Sequence, residues 1–192
     1  MRQKRILLIL GHPSGDSFCA ALAERYREAA SGAGHEVRLL RLGDLAFDPL
    51  LRHGYNGAQA LEPDLLQAQQ AIAWADHLAL VFPVWWGGVP ALLKGFLDRV
   101  LLPGFAFRYR KGSPFPEKLL KGRTAHLLVT MDTPPWYFRW LQRMPALQQM
   151  RRATLEFCGI RPTHTLMLGP LLHSPPQRRE SWLRQVQALA AG

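Results

Sequence analysis

Residues 77–100, HLALVFPVWWGGVPALLKGFLDRV, decide how the rest of the chain is read. The segment begins with an apolar run over 78–82 that shows no polar alternation and is short enough for one strand buried on both faces. The run breaks at Pro83, passes through two adjacent tryptophans and Gly87-Gly88, and restarts at Pro90 as an amphipathic helix. Proline at a first helical position loses no hydrogen bond the helix would have made. The pattern predicts strand, aromatic loop, helix N-terminus. In an open parallel sheet such a loop lies at the carboxyl end of its strand, where these folds bind their ligands. Glycines let a planar group approach the backbone, tryptophans offer a stacking surface, and the helix start offers free N–H groups.

Upstream, residues 5–10 form an apolar β run, and 11–16 a loop rich in Gly, Pro, Ser and His. A helical pattern runs from Ser17 to about Ser31, with Phe18, Ala21, Leu22 and Tyr26 on one face and Ser17 or Asp16 as its N-cap. The turn 31–34 stops it, and 36–42 alternates as a second strand, completing a parallel βαβ unit. An irregular passage over 43–61, with Pro49 and 54–57 as breakers, leads to a helix over 62–74 and then to the third strand. Downstream come an irregular insertion (102–121), a fourth strand (123–131), a long helical pattern (136–157) interrupted at Pro145, a fifth strand (163–168) and a closing helix (175–191). This alternation predicts one α/β domain over 1–192, a three-layer sandwich with a five-stranded parallel sheet in the order 2-1-3-4-5. Strands 1 and 3 are then neighbours whose helices leave on opposite faces. The loops 11–17 and 83–89 line one crevice.

The net charge of +10 is compatible with nucleic acid, an anionic surface or phosphate-bearing ligands. The basic residues are scattered from Arg2 to Arg184, and the densest groups are only Arg151-Arg152 and Arg178-Arg179. A solvated basic surface is the reading, with no nucleic-acid partner. Two cysteines far apart, Cys19 and Cys158, argue against a disulfide framework or a structural zinc site. The apolar run near the start stops at Gly11, short of the roughly 7–15 residues of a secretory core. No segment approaches the ~20 apolar residues of a membrane span. These features together lead to the expectation of a cytoplasmic protein with no membrane insertion and no metal.

The loop GHPSGDS (11–17) has two readings on its own residues: a phosphate cradle ahead of a helix N-terminus, or a tight turn with a serine cap. It is no P-loop, since no Gly-Lys-Ser/Thr follows, and it lacks GxGxxG. Cys19 reads as a small core residue whose thiol a helix N-terminus could acidify. Trp85 and Trp86, beside two glycines, tilt toward a flat aromatic ligand. Trp136-Tyr137-Phe138 is either a second wall of that site or the buried face of a helix.

FPVWWGGVPALLKGFLDRV, with GHPSGDSF near the start, FDPLL at 47–51, and GFAFRY followed by LLKGRTAHLLVT, resembles the flavodoxin-like NAD(P)H:quinone oxidoreductase family. The resemblance runs from strand 1 through strand 4. It implies a flavin cofactor, usually FAD and in some members FMN, NADPH or NADH as electron donor, a small quinone-like acceptor, and a homodimer. Carried over, it puts the flavin phosphates against His12, Ser17, Phe18 and Cys19. The ring lies against Pro83, Val84, Trp85, Trp86 and Gly87, with Thr130, Met131, Asp132 and Thr133 at its polar edge. Trp86 would wall the site, and Tyr137 would assist proton movement. The family's Thr-Thr-Gly-Gly run is here Thr130-Met131-Asp132-Thr133, and no histidine follows until His164. The expected activity is a ping-pong transfer of two electrons from NAD(P)H to the acceptor. The rival reading is a flavodoxin-like regulatory subunit that docks on a partner such as a potassium-efflux channel, with vestigial redox activity.

Overall fold

A computed structural model describes residues 3–55, 57 and 59–192, so Arg2 and the breaker Asn56 lie outside the described residues. Its elements are β1 (Arg5–Leu10), α1 (Phe18–Gly32), β2 (Glu36–Arg41), α2 (Pro63–Trp74), β3 (His77–Pro83) and α3 (Ala91–Val100). The second half holds β4 (Phe107–Arg108), β5 (Glu117–Lys118), β6 (Thr124–Thr130), α4 (Pro135–Trp140), α5 (Pro145–Gln148), β7 (Arg161–Leu168) and α6 (Pro176–Ala191). The main sheet is parallel in the order β2-β1-β3-β6-β7. That is the expected 2-1-3-4-5, because β4 and β5 pair with each other in a separate antiparallel ribbon inside the 102–121 insertion.

Alternation along the central strands sorts the core into two layers. Leu7, Ile9, Leu80, Phe82, Leu127 and Val129 face α2 and α3 through Leu65, Ile72, Leu93 and Phe96. Ile6, Leu8, Leu10, Ala79, Val81 and Leu128 face α1 and α6 through Leu22, Ala23, Tyr26, Trp182 and Val186. Helices thus cover both faces, which is why β1 and β3 read as unbroken apolar runs.

The recognisable segment after the tryptophans is partly architectural. A Cβ at Gly95 would lie 2.5 Å from Pro49 Cβ, so only glycine lets Pro49 pack on α3. Arg99, fully buried, donates to Glu62 Oε2 at 2.8 Å and Ala60 O at 2.9 Å, and also to Asp48 O. Pro90 caps α3 from just outside and does not occupy its first turn. The helical pattern expected over 136–157 is broken more deeply than by Pro145 alone. Arg143 and Met144 take left-handed backbone (φ 58° and 53°), and 149–156 winds as a wide π-type turn.

Candidate active site

The carboxyl ends of β1, β3 and β6 meet where the strand order reverses. Gly11 donates to Val81 O at 2.8 Å, and a Cβ there would crowd Leu93 and Phe82 at 3.0 and 3.1 Å. The first loop is therefore held flush against β3 and α3. Inside it, His12 Nδ1 accepts the Ser14 N–H at 3.0 Å, and Ser14 Oγ accepts the Asp16 N–H at 3.1 Å. Ser17 Oγ donates to Ser14 O at 3.0 Å and accepts the Ala20 N–H at 3.2 Å, making Ser17 the N-cap of α1. The hydroxyls are thus engaged within the loop. What the loop leaves open are the Phe18 and Cys19 N–H groups in the first turn of α1, which have no helical acceptor.

Around those groups lies a crevice of about 110 Å³. His12, Ser17, Phe18 and Cys19 line it from the first loop, Pro83, Val84 and Trp85 from the end of β3, and Thr130, Met131 and Asp132 from the end of β6. The His12 ring meets Trp85 edge-on at 5.4 Å. Cys19 turns its thiol inward, 3.2 Å from Thr130 Oγ1, and burial pushes that thiol up to about 11. The helix N-terminus does not acidify it, and what Cys19 offers the crevice is its backbone.

Leu171 forms a wall that sequence reasoning missed. Its N–H donates to Met131 O at 3.0 Å, while the Leu172 N–H donates to Asp132 Oδ1 at 2.6 Å. Asp132 therefore straps the loop after β7 to the loop after β6. The available signal was Gly169, where a Cβ would lie 2.4 Å from Met131 O, but a lone glycine names no partner.

Trp85 and Gly88 exchange hydrogen bonds at 3.0 and 2.9 Å around two central residues at positive φ, Trp86 at 52° and Gly87 at 74°. This is the pattern of a type I′ turn, which favours Asn-Gly. A tryptophan in left-handed backbone costs about 1–2 kcal/mol. Trp86 is nevertheless fully solvent-exposed, at 106% of its reference area. The strain is therefore not repaid by burial of its side chain.

Trp86, Gly87, Thr133 and Tyr137 do not line the crevice; the first two sit in the turn after β3 and the others follow β6. Gly87 faces Pro145, whose Cγ would be 3.4 Å from an added Cβ. Of the aromatic triplet, only Phe138 is buried. Trp136 and Tyr137 meet edge-on at 5.8 Å and stay exposed, as does Trp140. His164 lies in the sheet, 5.2 Å from the His126 ring, and supplies no acid–base group to the crevice. Among the described residues no cluster could hold a metal ion, and no helix is long and apolar enough to cross a membrane.

An open parallel α/β sheet with its crevice at the switch point defines a class, and the comparisons agree with it: a family model described as flavodoxin-like fold matches residues 4–191, and the chain belongs to that family. Within it, the named relatives are NAD(P)H oxidoreductases and quinone dehydrogenases, and at 30% identity to ribosyldihydronicotinamide dehydrogenase [quinone] of Mus musculus, covering 84% of this chain and 79% of that one, the chain is a member of this oxidoreductase group. It is 36% identical over 131 residues to an uncharacterized NAD(P)H oxidoreductase of Haemophilus influenzae, covering 66% of this chain and 64% of that one. It is 29% identical over 222 residues to NAD(P)H dehydrogenase [quinone] 1 of Rattus norvegicus, covering 98% and 78%. Among solved structures, Smu.1420 from Streptococcus mutans superposes with a TM-score of 0.80 at 28% identity, covering 97% and 98% of the two chains. An NAD(P)H:quinone oxidoreductase from Methanothermobacter marburgensis shares the fold at a TM-score of 0.84 and 22% identity, covering 100% and 99%.

Proposed function

We propose that this chain is a flavin-dependent NAD(P)H oxidoreductase that passes two electrons, by a ping-pong cycle, to a quinone or a similar small planar acceptor. The observation that carries the reading is the crevice at the switch point, lined by the first turn of α1, with its two free helix-start N–H groups, and by the Trp85 indole. Its residues suit a flavin in two parts. His12, Ser17 and the Phe18 and Cys19 N–H groups would hold its phosphate end. Pro83, Val84, Trp85 and Gly87 would lie against the ring, with Thr130, Met131, Asp132 and Thr133 along its edge. FAD and FMN both meet this description.

When bound, a flavin supplies the hydride chemistry, and the protein supplies placement and charge. Trp86, held exposed at the rim, gives a planar donor or acceptor a face to stack on. Tyr137, also exposed, presents a hydroxyl that can give a proton to an acceptor oxygen. The excess of positive charge draws anionic nucleotides toward the protein. The relatives' names support this donor and acceptor class, and a homodimer over one 1–192 domain is the assembly we assign with it.

Stopped-flow mixing of flavin-loaded protein with NADPH or NADH tests the reading. Flavin absorbance should bleach and then return on adding a quinone, with parallel lines in double-reciprocal plots. Loaded protein that neither nucleotide bleaches contradicts the proposal.

A further inference from the structure

A second hollow, about 340 Å³, opens where the chain leaves α5 and enters the wide turn Gln149–Glu156. Met144 and Leu147 give it apolar surface, and Gln148, Arg151, Arg152 and Glu156 give it polar groups. Both arginines are exposed, and among the described residues neither has a hydrogen-bond or ion-pair partner. Glu156, the carboxylate of the hollow, pairs with neither of them. Two sequence-adjacent arginines without partners, both lining a hollow with apolar surface, offer positive charge to an anion carried on a flat ring.

The hollow is also near the crevice. The Trp85–Gly88 turn abuts Pro145, whose Cγ would be 3.4 Å from a Cβ at Gly87, and Pro145 adjoins Met144 in the wall of the hollow. Arg151 follows Pro145 by six residues, an axial rise of at most about 9 Å. An extended dinucleotide with its nicotinamide at Trp86 covers that span.

Guanidinium groups suit a phosphate monoester better than any neutral hydroxyl, through bidentate, charge-assisted hydrogen bonds. NADPH differs from NADH only by such a group, on the 2′ position of its adenosine ribose. We infer that Arg151 and Arg152 form the subsite for the adenosine 2′-phosphate of NADPH, with Met144 and Leu147 against the adenine, so that NADPH is the preferred donor. The inference rests on the proposed oxidoreductase reading for its donor, and its test has an arm that does not.

That arm is calorimetric titration of the full chain with 2′,5′-ADP and with 5′-ADP, for the unaltered protein, R151A/R152A and R151K/R152K. The 2′-phosphate should tighten binding by about tenfold, the alanine pair should abolish that preference, and the lysine pair should keep part of it. Equal affinities in the unaltered protein, or a preference that survives the alanine pair, overturn the subsite. In flavin-loaded enzyme, the ratio of KM for NADPH to KM for NADH should rise about tenfold in R151A/R152A. A ratio that does not move overturns the subsite as well. If loaded protein oxidises neither nucleotide, the oxidoreductase reading falls, and the calorimetry still decides the hollow alone.

Discussion

The two ends of the sheet both gather chemistry-bearing side chains, and they do so in opposite ways. At the carboxyl ends, His12, Trp85 and the first N–H groups of α1 surround open space, and Trp86 is held strained and exposed. Toward the amino ends, Tyr26, His77, His126 and Thr124 form a closed network. Tyr26 Oη bonds His126 Nδ1 at 2.9 Å and His77 Nε2 at 3.3 Å, and His77 Nδ1 bonds Thr124 Oγ1 at 2.7 Å. The His77 and His126 rings lie 4.2 Å apart. By residue type the second group is the better catalyst, with histidines beside a tyrosine. Its geometry makes it structural, because the Tyr26, His77 and His126 rings are buried and their polar atoms bond one another. Open volume and unmet N–H groups mark a site more surely than histidines do.

The contrast can be broken most sharply by pH. Burial, then the neighbouring His126, Lys4, His35 and His164, push His77 down to about 3. Burial, His164 and Lys4 push His126 down to about 4. Both folded values lie below the ordinary 6.5, so the unfolded chain takes up protons that the folded one refuses. The stabilisation is complete above pH 6.5 and is lost as pH falls toward the folded values. For His77 alone the loss at pH 5 is roughly 2 kcal/mol, with His126 adding in the same direction. Urea midpoints should therefore drop clearly between pH 7 and pH 5. A flat profile across that window contradicts a network of neutral, buried imidazoles.

Next in size is Tyr26→Phe, which leaves two buried imidazole nitrogens without a partner. It should cost about 1–3 kcal/mol in urea unfolding while flavin affinity stays at the unaltered value. Loss of flavin binding in that variant would mean the two ends are not independent. Trp86→Asn runs the other way. It places Asn-Gly in the type I′ turn and should gain about 1 kcal/mol in thermal or urea stability while lowering kcat/KM for a quinone. A variant both less stable and fully active would show that the exposed indole is held for neither reason given. Smallest is Ser17→Ala. It removes the cap of α1 and the tie to Ser14, and should cost about 1 kcal/mol of stability with a parallel fall in flavin affinity. Unchanged flavin affinity would reduce the first loop to a turn.

Much of this is legible in the sequence. β1 and β3 announce themselves because strands covered on both faces carry unbroken apolar runs, and the strand order follows from the alternation. That order also brings the loop after β1 beside Pro83, Val84 and Trp85 at the end of β3, though not beside Trp86 and Gly87. The histidine network was invisible, since His77, His126 and His164 come from three strands and meet only through sheet register. Leu171 was missed because an apolar residue after a strand carries no chemical signature. The exposure of Trp86 could not be read either, as it depends on a left-handed backbone that the letters Trp-Gly do not advertise. Nor could periodicity show that 136–157 would be interrupted by left-handed residues and a wide turn. Gly95 and Arg99, which help make the central segment recognisable, hold Asp48, Pro49, Ala60 and Glu62 against α3.

The most direct test of the central claim is a titration of purified, flavin-stripped chain with FMN and with FAD, followed by quenching of flavin fluorescence. The account predicts saturable uptake of one flavin per chain, weakened by Ser17→Ala and untouched by Tyr26→Phe. Protein that binds neither flavin at any concentration tried would contradict it.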